Sequence, residues 1–239
     1  MIDDNLFTGP IGEEYHLLEK LCPTSVQLPR MASDFLAGWR KGEALRGLEI
    51  GCGSGISTLP YLSARSDLSL VGIDASPAML AQAKRNLAAQ TAVGRVDFVE
   101  TDALAYLRAQ PDGAFDLVVS NYAIHNFLEG YRREVLAEIL RVLKPGGLFL
   151  NGDRYALDDR AAHLVLTQNL VRHWFKVFTD LARPDLLQEW VVHFFSDESD
   201  EHIMWFTPSL KALETLGFAD VTVRWREGVD TLLTATRPR

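Results

Sequence analysis

From Leu45 onward, short apolar runs alternate with segments of helical pattern, and this rhythm restricts the chain to a layered α/β architecture. Strands are predicted at Leu45 to Ile50, Leu68 to Ile73, Val96 to Val99, Phe115 to Val119 and Leu148 to Leu150. Each gap between them is long enough for a crossover helix, so these runs read as a parallel sheet. Val221 to Trp225 and Thr231 to Thr236 then flank Arg226-Glu227-Gly228-Val229-Asp230, where Gly228 suits the turn of an antiparallel hairpin. The expected fold is a mixed seven-stranded sheet, mostly parallel with a C-terminal antiparallel hairpin, covered by helices on both faces.

Helix signals fit this frame. Ser76-Pro77 offers an N-cap and a first-turn proline for a helix over Ala78 to Ala89, and Thr207-Pro208 repeats the device before Ser209 to Leu216. A helix over Tyr131 to Val142 places Val135, Ile139 and Val142 on one face and stops at Lys144-Pro145-Gly146-Gly147. Two segments fall outside the rhythm. Residues 1–40 form an N-terminal helical cover, and residues 156–206 form an aromatic-rich helical insertion placed to act as a lid over the substrate region. The core is then 41–155 with 207–239. The alternative for the insertion is a helical subdomain that buries its own core.

The first strand runs into Gly51-Cys52-Gly53-Ser54-Gly55, a turn in which glycines permit sharp backbone and close approach by a ligand. Asp74 ends the second strand, where a carboxylate can accept from both hydroxyls of a ribose. Together they point to a nucleoside cofactor. Ile56 stands where a dinucleotide fingerprint needs its third glycine. At this level of detail the chain resembles the class I S-adenosylmethionine-dependent methyltransferases, from about Leu48 to the C-terminus. Leu48 to Gly55 resembles the first motif, Val71 to Asp74 the second, Val99 to Ala103 the third, Phe115 to Asn121 the fourth and Leu143 to Gly147 the fifth, in the family order.

The resemblance implies a Rossmann-like core and S-adenosyl-L-methionine as cofactor. It implies that Gly51, Gly53 and Gly55 line the methionine and ribose portions, with Glu49 near the amino group and Asp74 on the ribose. Met79 or the Ala75-Ser76 backbone would cover an adenine face, Asp102 and the Ala103 amide would read the adenine edge, and Asn121 would face the methionine. The methyl of a sulfonium is already electrophilic, so the protein chiefly aligns an acceptor and excludes water. Where the acceptor must lose a proton, His125, just after the fourth strand, is the candidate general base. Weaker candidates are Tyr15, His16, Arg30, Tyr155, His163, His173, His193 and His202.

Charge narrows the partners. Lys and Arg number 24 against 32 Asp and Glu, a formal net charge of −8, and basic clusters are absent, which disfavours nucleic acid and anionic membranes. The expected acceptor is a small, partly apolar molecule. The acidic N-terminus and the lack of an apolar run of about 18 residues suggest a cytoplasmic protein. Cys22 and Cys52 make no disulfide framework, and Cys52 is expected to fill a slot between glycines. No metal is expected, because the acidic run Ser196 to His202 reads as a solvated face. Alternative readings are a non-catalytic S-adenosylmethionine-binding module and a nicotinamide-dependent oxidoreductase.

Overall fold

The computed structural model describes residues 21–22 and 24–239. Its centre is one sheet of seven strands: β1 (Leu45–Ile50), β2 (Leu68–Asp74), β3 (Val96–Glu100), β4 (Phe115–Asn121), β5 (Leu143–Arg154), β6 (Ala219–Glu227) and β7 (Asp230–Thr236), in the order β3-β2-β1-β4-β5-β7-β6. The pairs β1–β2, β2–β3, β1–β4 and β4–β5 are parallel, and β5–β7 and β6–β7 are antiparallel. The predicted mixed sheet is therefore the observed one. Strand order reverses between β1 and β4, and in open α/β sheets the crevice beyond the carboxyl ends at such a switch point holds ligands.

Alternation along the strands divides the core. Leu48, Ile50 and Val118 point to one face, against Leu104 and Leu107 of α5 (Ala103–Arg108), Val135, Ile139 and Val142 of α6 (Glu129–Val142) and Leu213 of α9 (Phe206–Leu216). Leu45, Leu117 and Val119 point to the other, against Leu28, Ala32 and Leu36 of α1 (Thr24–Gly38) and Tyr61 and Leu62 of α2 (Thr58–Ala64). All these side chains are buried, and each Leu, Ile and Val contributes on the order of 1.5–3 kcal/mol by leaving water. Truncating one fully buried aromatic, as in Phe149→Ala, costs about 3–5 kcal/mol.

Two helix readings need correction. The helix predicted over Ala78 to Ala89 is two, α3 (Pro77–Asn86) and α4 (Ala88–Ala92), parted at Leu87 with φ −114° and ψ 25°. Leu87 is buried against Gly55, where an added Cβ would lie 2.3 Å from its Cδ1, so packing on the glycine turn wins over helix continuity. Ser76 does cap α3, accepting from the Met79 amide. Thr207 is not an N-cap: α9 already begins at Phe206, and Asp158 caps it from outside by accepting from both the Thr207 amide (3.0 Å) and hydroxyl (2.6 Å).

Residues 156–206 carry α7 (Arg160–Asp180) and α8 (Pro184–Asp197). Leu21, Trp174, Phe178, Leu186, Trp190 and Phe194 form a separate small core between these helices, with Trp174 packed on Phe194 at 5.1 Å and on Trp190 at 6.1 Å between ring centroids. The aromatic richness of the insertion is thus used largely on itself. Phe175 and Phe195 are exposed.

Candidate cofactor site

Three glycines of one turn do three different jobs, although all have positive φ (Gly51 +65°, Gly53 +53°, Gly55 +84°). A Cβ on Gly51 would sit 2.3 Å from the Cβ of Ala123, so Gly51 lets the turn after β1 pass the loop after β4. Gly55 makes room for Leu87. Around Gly53 nothing lies within 4 Å of an added Cβ, and its amide donates to Asp74 Oδ2 at 2.8 Å. Gly53 therefore leaves open space that a ligand can use, while the first and third glycines serve packing.

Asp74 braces this turn. Its Oδ1 accepts from the Ser76 amide at 2.8 Å, joining the carboxyl end of β2 to the start of α3. Burial pushes the Asp74 carboxyl above its ordinary pKa, against the two amides that favour the charged form. At the end of β4, Asn121 carries a buried Oδ1 with no hydrogen-bond donor. A buried amide oxygen normally has a partner, so this atom is an acceptor in waiting. Asp102 caps α5 through the Ala105 amide (2.8 Å) and accepts from the Tyr131 hydroxyl (2.6 Å).

These groups converge on a cavity of about 460 Å³ at the switch point. Of the residues singled out in the sequence, Gly51, Gly53, Asp74, Ala75, Met79, Asp102, Ala103 and Asn121 line it. Glu49 and Gly55 do not. Glu49 is fully buried beside the turn, its two oxygens held by the hydroxyls of Ser57 (2.5 Å) and Thr58 (2.6 Å), and burial raises its pKa to about 7. The wall also includes Tyr122, Asn126, Phe127, Leu128 and Tyr131, which the sequence reading passed over, and His202, one of its weaker candidates. Most follow β4 directly, so the strand-end rule that found Asn121 also covers them; His202 arrives from the insertion and has no such signal. Tyr122 takes the left-handed region (φ +49°), and its hydroxyl lies 2.8 Å from both Asp230 Oδ1 and Thr24 Oγ1, to one of which it donates.

His125 lies elsewhere. It is buried outside the large cavity, its Nδ1 2.6 Å from Asp153 Oδ1, and it lines a second cavity of about 20 Å³ with Arg154, His163, Asp197, Glu198 and His202. Burial opposes its positive charge, but Asp153 outweighs that and moves its pKa up. The solvated-face reading of Ser196 to His202 fails at its second residue: Asp197 is buried, because Arg154 reaches from β5 to Asp197 Oδ2 (3.4 Å) and Glu198 Oε1 (3.0 Å). His163 also meets Glu198, at 2.7 Å. Arg30 and His173 are exposed, and Tyr15 and His16 lie outside the described residues. Cys52 is buried beside Gly72, and burial raises its thiol pKa well above the ordinary value, as a packing role requires.

Residues 48–147 match the model of a methyltransferase domain. An uncharacterized methyltransferase of Synechocystis sp. is 37% identical over 102 residues, which is 43% of this chain and 43% of that protein. A demethylmenaquinone methyltransferase of Thermus thermophilus is 38% identical over 100 residues, 42% of this chain and 43% of the relative. The matched part thus spans less than half the length of these curated relatives. The structure of an O-methyltransferase family protein from Burkholderia thailandensis superposes with a TM-score of 0.63 at 21% identity, covering 90% of this chain and 58% of that one, and shares the fold.

Proposed function

We propose that this chain, whose residues 48–147 form a class I S-adenosylmethionine-dependent methyltransferase domain, transfers a methyl group to a small, partly apolar acceptor. The observation that carries the reading is the convergence of an open Gly53 backbone, the Asp74 carboxylate and Asn121 on one cavity at the switch point. These groups suit the family's cofactor. Asp74 would accept from ribose hydroxyls, Asn121 Oδ1 from an ammonium group, and Met79 would lie against an adenine face. Asp102 has acceptor capacity beyond its bonds to Ala105 and Tyr131, since a carboxylate offers about four lone-pair sites. Glu49 acts through the turn it underlies, by way of Ser57 and Thr58.

The bound cofactor supplies an electrophilic methyl on a sulfonium. What the chain supplies is position and dryness: an acceptor held in line beside the methyl gains several kcal/mol of the barrier from orientation alone. Tyr122, Phe127 and Leu128 offer apolar and aromatic wall, and Tyr122 is held in place by Thr24 and Asp230. The net charge of −8 and the apolar content of the wall support a small acceptor over a nucleic acid. His125 does not line the cavity, so no proton transfer is assigned to it.

Calorimetry with S-adenosylmethionine and its demethylated product, joined to mass spectrometry of any copurifying ligand, tests the cofactor half. A panel of small hydroxyl, amine and activated-carbon acceptors, read by formation of the demethylated product, tests transfer. Binding with no turnover on any acceptor would favour the non-catalytic module.

A further inference from the structure

Apart from the large cavity, the densest cluster of ligating side chains among the described residues lies where the insertion meets the sheet. We propose that His125, His193 and Asp197 form a binding site for a zinc-like divalent transition-metal ion, which clamps α8 to the core. This inference does not depend on methyl transfer.

The ligands come from two elements. His193 and Asp197 are one turn apart on α8 and so share a face, while His125 sits in the short 3-10 turn Ile124–Asn126 after β4. One donor atom from each lies within 4.8 Å of the others, and all three residues are buried. His193 Nε2 is 3.7 Å and His125 Nε2 3.9 Å from Asp197 Oδ2. Both separations are too long for hydrogen bonds. They are close to the roughly 3.3 Å between ligands of a tetrahedral zinc site whose bonds are about 2.0–2.1 Å, so these two edges need contract by only about half an ångström, while the edge between the two imidazoles lies within 4.8 Å.

A second, independent observation points the same way. The Asp197 side chain is 6% exposed, and its Oδ1 has no hydrogen-bond partner. A carboxylate buried with an idle oxygen is costly unless something occupies it. Arg154 reaches only Oδ2, at 3.4 Å, and is shared with Glu198, so coordinating capacity remains. Arg154 opposes a cation, and Asp153, Asp197 and Glu198 lie close enough to offset it.

The outer shell is already built. With Asp153 Oδ1 accepting from the His125 Nδ1–H at 2.6 Å, the lone pair of the neutral ring is on Nε2, 3.9 Å from Asp197 Oδ2. Asp153 is itself fixed by the amides of Ile124 (3.0 Å), His125 (3.3 Å) and Arg154 (2.9 Å). The adjoining 20 Å³ cavity, lined by His125 and Asp197, has room for one water in the fourth position. Two imidazoles and one carboxylate select zinc-like ions over magnesium or calcium, which want oxygen shells. In the sequence His125 stands far from His193 and Asp197, and the acidic run alone looks solvated.

The test uses the full chain after dialysis against chelator. Calorimetry with zinc chloride should show one equivalent per chain, and Co²⁺ should develop the visible absorption of a four-coordinate site. His193→Gln and Asp197→Asn should each weaken zinc binding by more than about 100-fold, beyond the 10- to 100-fold typical of an outer-shell partner. His173→Gln, on the exposed side of α7, should change nothing. Saturating zinc should also raise Tm, since only the docked arrangement brings the ligands together. The proposal is overturned if the wild-type protein takes up no stoichiometric zinc and gives no four-coordinate Co²⁺ spectrum. It is equally overturned if one-equivalent binding persists unweakened in His193→Gln and Asp197→Asn. Should a variant misfold, the wild-type Co²⁺ spectrum still decides.

Discussion

Glu49→Gln isolates the energetic cost of a buried acid beneath the glycine turn. Burial raises the folded-state pKa of Glu49 from 4.5 to about 7, even though Ser57 and Thr58 donate to it. For an acid with a raised folded pKa, the folded protein holds the proton longer than the unfolded chain. Stability is therefore highest below about pH 4.5, falls as pH rises through the window from 4.5 to about 7, and levels off above it. At 1.36 kcal/mol per pK unit the loss amounts to about 3 kcal/mol. Glutamine keeps the shape and cannot ionise, so this slope disappears. The Ser57 and Thr58 hydroxyls can rotate to suit the amide, which adds a constant offset of either sign. The observable is hence the difference in unfolding free energy between variant and wild type, measured by urea titration at several pH values from 4.5 to 8. It should rise toward the variant by about 3 kcal/mol across that range, or roughly 6–12 °C in Tm for a chain of this size. Titrating groups that do not feel the Glu49 charge contribute equally to both proteins and cancel; Asp74, whose charge helps raise the Glu49 pKa, adds a smaller coupled contribution. A difference that stays flat with pH would refute the assignment of Glu49 as a protonated buried acid near neutrality.

Asp74→Ala should weaken S-adenosylmethionine binding about 10- to 100-fold by calorimetry, since it removes charged acceptors worth about 1.5–3 kcal/mol and the brace on Gly53. Gly51→Ala and Gly53→Ala should separate stability from binding: both meet the left-handed backbone penalty of about 1–2 kcal/mol, but only Gly51→Ala adds a collision with Ala123 and loses markedly more in denaturation. Gly53→Ala should stay folded and lose affinity, because its methyl takes space in the cavity. His125→Ala should retain cofactor binding in calorimetry, its ring lying outside the cavity wall. Lys144→Met should destabilise more at pH 7 than at pH 3. Burial works against the Asp116 charge, but Lys144 and the Arg46 amide hold its carboxyl below the ordinary range, and stability from such an acid is lost as pH falls through its folded pKa.

Strand positions were legible because a half-buried or fully buried strand must carry its apolar residues in runs, and β1 to β5 do so. The ligand end was legible for the same reason that Asp74, Asp102 and Asn121 stand out: polar residues that close an apolar run at the carboxyl edge have few structural uses. Three features were hidden because they depend on partners distant in sequence. Thr207 looked like a cap, but Asp158 supplies that function across the start of the insertion. Leu87 looked helical, but Gly55 draws it into a gap. Asp197 looked solvated until Arg154, from β5, was seen to reach it. His125 depends on distant partners in the same way: adjacency to β4 suggests the reacting centre, whereas Asp153 holds its ring in the seam with α8.

The aromatic core of the insertion has a practical consequence. Trp174 and Trp190 are buried against each other and Phe194, and none of the chain's 5 tryptophans lines the large cavity among the described residues. Emission from this pair is governed by the packing between α7 and α8, so a fluorescence change that is lost when both are replaced by Phe signals loosening of the insertion. Ligand entry at the switch point is better followed by heat, by mass or by a chromophore carried on the ligand itself.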